Sequence, residues 1–566
     1  MEKNNMKSSM FFEFMNSGNT IKNIEIYDSI DAKDLIYTKD VIIKDCVFNE
    51  SVRFTDCKFL KSVTFENCKF GKEFQFIDSE CSGKFQLVSC IFNEDILFND
   101  IYFAEFSILS SCFQKVIFRG FLKNKSFKDD AVEFSKSNLE ELVFADLTCE
   151  KTIKLVDIHL ETVSFSKCIF NSRIHFGTKP ELSFCANYVF IEFSKFSQNV
   201  IFDCGKIENN LTIQQVEFEC VVLICKDFNI EHIILTEICA KNRFCIDFCD
   251  NINFLDISNC SFDTCFQIYN LSKIESYKKS VLINFSGIIY GNYVFEDFPA
   301  SPIDISCVNF GTIIFLNVDT KLIILDNFFN YGRLFFNSIK YNQNFNALII
   351  FDSNIGNTEF ENIDFRKFNE VVIAKSEVSN LLLSNSIFPN KIQIKTKEPQ
   401  LGYEVNLDGK INDNLYFRDS YRQLKIAMEK MGNVHSSLIY KSKEMYYQRK
   451  LLKCDLDKLL LYFNYISNNN GISWSRGIGF TLICGLVFFV LLNTQMNVPD
   501  FHWNNFVSYI SNFLKRYVSY ISSYPKLKPA NINDNWKVDV IVLLSRIFIS
   551  VGIYQTITAF RKYKNK

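Results

Sequence analysis

The sequence predicts a mainly β protein, in which a four-sided parallel β-solenoid is followed by an α-helical region with two transmembrane helices. Three observations lead to this fold class. An apolar pattern recurs every eleven residues from residue 41 onward, and 51 of the 61 Phe and 18 of the 20 Cys lie in residues 1–400. Two long apolar segments lie near the C-terminus. The 48% of hydrophobic residues excludes a disordered chain.

The repeat is an apolar residue, a gap, Phe, two further residues, Cys, a gap and Phe. Two adjoining copies are Val52-x-Phe54-x-x-Cys57-x-Phe59 and Val63-x-Phe65-x-x-Cys68-x-Phe70. Residues two apart in an extended chain face the same side. Each eleven-residue repeat therefore forms two sides of a turn, and each side directs one pair of residues into the core. Two units close one coil of roughly 22 residues, and stacked coils form a solenoid.

The inward positions combine a small or branched residue with a large one, which lets coils stack at ordinary packing density. About seventeen turns are expected across residues 20–396. The cysteines are interpreted as compact core residues, since no Cys-x-x-Cys is matched by a second pair. The residues predicted to form the solenoid core are Phe54, Cys57, Phe59, Phe65, Cys68, Phe70, Phe76, Phe165, Cys168 and Phe170.

The stretches Asp56-Cys57-Lys58-Phe59-Leu60 and Asn67-Cys68-Lys69-Phe70-Gly71 resemble the pentapeptide-repeat proteins. The resemblance covers about residues 20–396. It implies a right-handed quadrilateral β-helix. The chain departs from the family pattern by placing Cys or Val where Ala is usual, and by alternating five-residue with six-residue pieces.

Charge divides the chain at about residue 400. Residues 1–400 hold 40 Lys+Arg and 53 Asp+Glu, a net of −13, and residues 401–566 hold 22 and 11, a net of +11. A basic segment with Trp and Tyr beside apolar runs is typical of a membrane surface. Residues 1–19 are expected to be a cap or a flexible segment, and the helical spacing within 411–470 predicts a cytoplasmic helical hairpin that caps the solenoid.

Residues 471–566 are predicted to form a membrane anchor. The spans are expected at about 477–497 and 540–560, each long enough to cross the hydrocarbon layer. Between them, apolar residues at helical spacing predict an amphipathic helix at about 506–522, lying on the outer leaflet, or alternatively buried in a small external domain. Arg546 lies inside the second span and is interpreted as snorkelling to the interface rather than as a functional intramembrane charge. The other interface candidates are Trp474, Arg476, Trp503, Trp536, Arg561 and Lys562.

The C-terminal part resembles the membrane-associated bacterial pentapeptide-repeat proteins with C-terminal transmembrane helices. The matching stretches are Tyr421-Arg422-Gln423-Leu424-Lys425, Gly432-Asn433, Lys443-Glu444-Met445, Tyr554-Gln555 and Ala559-Phe560-Arg561-Lys562. The resemblance implies a multi-pass protein of the bacterial inner membrane. The N-terminus lacks the apolar stretch of a secretory signal, and basic residues flank both spans on one side. Solenoid and C-terminus are therefore expected in the cytosol.

No enzyme, cofactor or metal is predicted. The chain has no phosphate-binding Gly-x-x-x-x-Gly-Lys and no Gly-x-Ser-x-Gly, and its five His are scattered. The expected partners are the lipid bilayer and an unidentified protein, with a homo-oligomer left open and no nucleic acid expected.

The leading hypothesis is a non-enzymatic scaffold or sensor that presents the solenoid to a protein partner. The alternative is a membrane effector or pore gated by the solenoid, motivated by Arg546 and the amphipathic stripe. A third reading is a DNA-mimic-type topoisomerase-binding protein. The charge of −13 is compatible with that reading, and the membrane tether disfavours it.

Overall fold

The computed structural model describes residues 4–123, 131–181, 183–247, 252–270, 280–340, 346–395, 413–495, 506–522 and 536–561. Contacts divide the chain into two units. The first holds Met1–Val371 and Leu383–Phe388, and the second holds Val372–Leu382 and Pro389–Lys566.

The first unit is a parallel β-solenoid, which confirms the predicted fold class. In its regular part a turn contains two four-residue strands and two two-residue strands. One such turn consists of Val41–Lys44, Val47–Phe48, Val52–Thr55 and Lys58–Phe59. The next turn repeats it in register, with Val63 beside Val41 and Phe74 beside Val52. The four strands of each turn are the four sides expected from the repeat.

A residue in the left-handed backbone conformation separates each four-residue strand from the following two-residue strand. Asp56 and Asn67 both have a φ of 52°. Short polar residues such as Asp and Asn adopt this conformation more easily than other non-glycine residues. The Asp56 N–H donates to the carbonyl of Ile77 in the next turn at 3.1 Å. The corner thus continues the backbone ladder. The same conformation recurs at Asn23, Asp34, Asp45, Asp78, Ser89 and Asp100.

The core is a set of stacked side chains of the same kind. The Phe70 ring lies 4.8 Å from that of Phe48 and 4.3 Å from that of Phe92, with interplanar angles of 5° and 2°. Every residue predicted for the solenoid core is at most 1% exposed. The thiols lie beside these stacks and donate weak hydrogen bonds to backbone carbonyls, as Cys68 does to Ile43 at 3.5 Å. The Phe and Cys excess is therefore a packing feature.

The N-terminal segment is an ordered cap from residue 4 onward. Strand Asn4–Met6 pairs with Ile24–Ile26, and helix α1, Ser8–Ser17, follows. Phe11 of α1 is fully buried, with its ring 5.7 Å from that of Phe48. α1 therefore covers the start of the Phe stack.

The solenoid has about 15 turns rather than about seventeen. The difference arises because several turns are longer than 22 residues. Ile174 pairs with Val200, 26 residues later, and Phe266 pairs with Tyr293, 27 residues later. Extra residues are accommodated between the paired strands, so the stack continues unbroken.

The strands of the described residues form one sheet. In the first half, besides those already given, they are Ile21–Lys22, Ile30–Lys33, Ile36–Tyr37, Val63–Glu66, Lys69–Phe70, Phe74–Ile77, Glu80–Val88, Ile91–Phe92, Ile96–Leu109, Cys112–Lys123, Ala131–Cys149, Thr152–Ser166, Ile169–Phe170, Ile174–Phe176 and Phe184–Glu192. In the second half they are Lys195–Phe196, Val200–Phe202, Gly205–Gln214, Glu217–Phe218, Val222–Ile224, Phe228–Thr236, Cys239–Ala240, Phe244–Asp247, Phe254–Ser258, Ser261–Tyr269, Val281–Glu296, Ala300–Asn309, Thr312–Leu316, Leu322–Asp326, Phe329–Asn330, Arg333–Asn337, Ala347–Phe351, Asn357–Glu361, Glu370–Ala374 and Leu382–Ser384, with a 3-10 helix at Phe365–Lys367.

The second unit contains six helices among the described residues. They are α2 Asp413–Lys430, α3 Val434–Leu451, α4 Leu456–Asn468, α5 Trp474–Gln495, α6 Phe506–Ser522 and α7 Trp536–Arg561. The hairpin predicted within 411–470 is thus three helices. The Asp455 carboxylate accepts a hydrogen bond from Lys458 N and starts α4, which the sequence analysis did not anticipate.

Helices α2 and α3 are fixed to the non-helical chain of their own unit. The Ser420 hydroxyl donates to the Ile373 carbonyl at 2.8 Å, and the Tyr440 hydroxyl donates to the Pro389 carbonyl at 3.1 Å. The Tyr421 hydroxyl accepts from Ile392 N at 3.2 Å. These buried contacts tie the helical pair to Val372–Leu382 and to the residues from Pro389 onward.

Replacing Phe70 with Ala should destabilise the solenoid locally by about 3–5 kcal/mol, because it removes the middle ring of a three-ring stack. In a solenoid each turn contacts only its neighbours, so the effect should stay local. Hydrogen exchange of the full chain should become faster around residues 41–92 and stay unchanged around the stack formed by Phe295, Phe315 and Phe336. The matched control is Lys69→Ala, at the exposed neighbouring position. Equal exchange in the two variants would contradict the stacked core.

Candidate membrane anchor and interaction surface

Two helices of the second unit are long and apolar enough to cross a membrane. Trp474–Thr494 of α5 has a mean hydropathy of 2.1, and Trp536–Phe560 of α7 has a mean hydropathy of 1.9. Both helices begin at a Trp, a few residues before the predicted starts at 477 and 540. A length of 22 residues in α5 and 26 in α7 suffices for the hydrocarbon layer.

The two helices are antiparallel and held close by small residues. A methyl group added at Gly477 would lie 2.5 Å from the Thr556 Oγ1, and a methyl group added at Gly552 would meet the Thr481 side chain even more closely. The pairing is reciprocal, since each helix contributes one Gly and a Thr four residues later. Both Thr hydroxyls donate to the carbonyl of the Gly on their own helix, at 2.8 Å. This small-residue packing is typical of helices that associate inside membranes.

The predicted interfacial residues lie at the helix ends. The Trp474 ring stacks on that of Phe560 at 5.2 Å, so Trp474 marks one end of the antiparallel pair. Trp536, 71% exposed, is the first residue of α7 and marks the other end. Arg476 lies over the Tyr465 ring at 5.6 Å. Arg561 ends α7, and Trp503 and Lys562 lie outside the described residues.

Arg546 lies near the middle of α7 and is half-buried. Its Nε is buried and has no hydrogen-bond partner among the residues that the structure describes. The preceding residue, Ser545, is fully buried and hydrogen-bonds to the Tyr520 hydroxyl of α6. The charge thus lies next to a polar contact between two helices.

Helix α6 occupies the predicted residues and packs against both candidate spans. Its C-terminal half lies against the middle of α5, with the Tyr517 hydroxyl donating to the Leu482 carbonyl at 2.5 Å. A methyl group added at Gly485 would lie 2.9 Å from the Ile521 side chain. The hydroxyl of Tyr520 hydrogen-bonds to Ser545 of α7. The predicted place of α6 at the outer leaflet stays a prediction.

Helix α4 joins the same assembly through both rings and amides. The Phe463 ring lies 5.1 Å from that of Phe480 in α5 and 5.4 Å from that of Phe548 in α7. The Asn464 Oδ1 accepts from the Gln555 Nε2 at 2.9 Å, and Asn468 donates to the same side chain. Sequence reasoning missed this helix. Its signals were Asp455 as an N-cap and Leu456, Leu459, Leu460 and Phe463 at helical spacing.

Arg449 of α3 is buried against aromatic rings of α4. Its guanidinium lies 4.3 Å from the Tyr465 ring and 5.2 Å from the Tyr462 ring. Burial lowers the pKa of the Arg449 guanidinium from its usual value. The cation is stabilised by ring faces and by the Leu461 carbonyl.

The outside of the solenoid carries a compact apolar surface, here called the aromatic patch. The exposed rings of Tyr290, Phe310 and Tyr331 stack from turn to turn at 5.3 and 5.2 Å. A second row lies two residues before them and consists of Ile288, Val308 and Phe329, which are paired across the same turns. Exposed aromatic clusters of this kind are typical of protein-binding surfaces.

Buried asparagines and glycines hold the aromatic patch in place. The Asn309 Nδ2 donates to the Asn330 Oδ1 at 2.8 Å, beneath the two rows. Gly311 and Gly332 follow the rings of Phe310 and Tyr331, and a methyl group added at either would collide with the backbone of the preceding turn. The dipeptides Tyr290-Gly291, Phe310-Gly311 and Tyr331-Gly332 are the sequence signal that the analysis missed.

Among the described residues no group of three or more His, Cys, Asp or Glu side chains is placed to hold a metal ion. No protein-family model matches the chain, and neither a curated protein nor a solved structure does. The resemblance to pentapeptide-repeat proteins therefore stays a prediction.

Replacing Gly552 with Leu should force α5 and α7 apart and destabilise the helical unit by about 1–3 kcal/mol. Gly479→Leu is the matched control, because an added methyl group at Gly479 meets nothing within 4 Å. Leu is also the better helix former, so the control should be neutral or slightly stabilising. Thermal unfolding of the full chain in detergent should show a lower midpoint for Gly552→Leu alone. Equal midpoints would contradict the close helix pair.

Proposed function

We propose that the chain is a membrane-anchored, non-enzymatic scaffold that presents its solenoid to a protein partner. The observation that carries the proposal is the aromatic patch, in which three stacked exposed rings are supported by a buried asparagine and glycine framework. A large exposed apolar surface is unfavourable in water unless another surface covers it. Aromatic residues are also enriched among those that contribute most to protein–protein binding.

The anchor consists of α5 and α7, with the solenoid and the C-terminus on the cytosolic side of the bacterial inner membrane. The helix lengths, their hydropathy and the reciprocal Gly and Thr contacts support a spanning pair. Trp residues at opposite ends of the pair support two interfacial belts. The cytosolic side follows from the basic residues next to Trp474 and after Phe560. Tethering would hold a bound partner at the membrane surface.

The second candidate is a membrane effector in which the helical unit perturbs the bilayer or forms a pore. The packing of α6 against the middle of α5, next to the half-buried Arg546, is the observation that favours it. A third helix packed against both candidate spans is more than a simple two-span anchor requires. The scaffold is preferred, because the hydroxyls of Tyr517 and Tyr520 hydrogen-bond to α5 and α7. These bonds make α6 a packed part of the anchor.

A photo-crosslinking amino acid placed at position 310 in host membranes should capture one defined protein, which mass spectrometry can identify. The same amino acid at position 193 is the matched control, because Phe193 is similarly exposed and far from the aromatic patch in the sequence. Changing Tyr290 and Tyr331 to Ser should reduce capture at position 310 about tenfold or more, since central aromatic residues dominate binding. Equal capture at the two positions, or none at position 310, would contradict the scaffold.

Vesicles that contain the purified full chain should not leak ions, so the signal of an encapsulated ion-sensitive dye should stay constant. Vesicles with the Arg546→Leu variant should behave in the same way. A scaffold needs no path for ions through the membrane. Removing the charge of Arg546 should therefore not change the permeability of the vesicles to ions. Dye-reported ion flux across both sets of vesicles is the measurement, with protein-free vesicles as the control. Leakage that the wild-type chain causes and the variant alters would favour the membrane effector instead.

A further inference from the structure

Helix α4 exposes an apolar face beside the two candidate spans. Leu456, Leu459, Leu460 and Ile466 are 83%, 67%, 62% and 59% exposed. They share one side of the helix with Phe463, because they recur at spacings of three and four residues. Four exposed aliphatic side chains on thirteen residues are too many for a helix that contacts only water.

The contacts of Phe463 fix the depth of that face. Its ring touches Phe480, in the second turn of α5, and Phe548, near the middle of α7. A membrane that surrounds Phe548 therefore reaches the level of Phe463. The adjoining Asn464 hydrogen-bonds to Gln555, in the last two turns of α7, so this part of α4 lies beside the end of the candidate span.

Another face of α4 is polar and contacts α7. Asn464 and Asn468 hydrogen-bond to Gln555 of α7, and Asn468 is 1% exposed. These bonds fix the rotation of the helix about its axis. Phe463 reaches the helix bundle from the apolar side, and the four aliphatic side chains beside it stay exposed.

Cations and a tyrosine lie on the other side of α4, because Tyr465 follows Phe463 by two residues. Arg449 and Arg476 lie over the Tyr465 ring, and Lys453 is exposed just before the helix begins. The two carboxylates of this segment lie at its N-terminus, where Asp455 caps the helix. A helix with an apolar side and a side that carries cations and a tyrosine matches the boundary between acyl chains and anionic headgroups.

We propose that α4 is an interfacial helix that lies in an anionic lipid leaflet. Its leucines contact acyl chains, and Lys453 and Arg476 contact lipid phosphates. The inference rests on the proposed function to the extent that α5 and α7 span the bilayer. A lipid is favoured over a protein as the occupant, because the apolar side of α4 adjoins the two candidate spans through Phe463.

The test places an environment-sensitive fluorescent amino acid at position 459, on the apolar face, and at position 457, on the polar face, of the otherwise intact chain. Each protein is reconstituted into phosphatidylcholine vesicles and into vesicles that also contain phosphatidylglycerol. Emission at position 459 should be shifted to shorter wavelength relative to position 457, and the shift should be larger with phosphatidylglycerol. Lys453→Gln combined with Arg476→Gln should remove the difference between the two lipid compositions.

Water-like emission at position 459 in chains that float with the vesicles would overturn the inference and leave the anchor intact. Chains that fail to float with the vesicles would instead overturn the proposed anchoring. Emission at position 459 that depends on the protein-to-lipid ratio would show that a second copy covers the face, which also contradicts the inference.

Discussion

The left-handed corner residue is the constraint on which the solenoid depends. In the regular part of the chain it recurs every eleven residues, as at Asp45, Asp56 and Asn67, with φ between 52° and 54°. This conformation costs an ordinary residue about 1–2 kcal/mol, and Asp or Asn adopts it more easily. Because each corner turns the chain in the same way, equivalent residues of successive turns superimpose. Phe then stacks on Phe and thiol on thiol, and the backbone ladder runs through the corner without a break. The same register, carried to the outside of the solenoid at Phe310, produces the aromatic patch.

The helical unit depends on a different constraint, which is the close approach of its helices and the pairing of their polar side chains. Contacts of this kind hold apolar helices together inside a bilayer, where no hydrophobic force acts between them. Gly477 and Gly552 bring α5 and α7 together, and the tyrosine and amide side chains of α4 and α6 find partners along them. Helices α4 to α7 therefore form one packed assembly. The position of α4 in this assembly connects the proposed anchoring to the proposed lipid contacts.

Much of this architecture could be predicted from the sequence, because a repeated pattern multiplies a weak signal. The inward positions of Phe65 and Cys68 follow from residue spacing alone, and so does the existence of α6. The position of α6 could not be predicted, since an apolar stripe does not show whether lipid or another helix covers it. The aromatic patch was missed because its spacing of 20 and 21 residues departs from the main period, and because exposed rings look like core residues in a Phe-rich chain. The turn number was overestimated because insertions between strands carry no pattern.

The corner residues direct the repeated thiols into the core. Burial raises the pKa of Cys57 and raises that of Cys168 to about 11, so neither forms a thiolate at neutral pH. Alkylation of the native full chain at neutral pH, followed by mass spectrometry of each cysteine, is the most direct measurement. Cys57 and Cys168 should stay unmodified until denaturant is added, while the exposed Cys112 and Cys454 should react. Modification of Cys57 and Cys168 at the rate of Cys454 in the native chain would contradict this prediction.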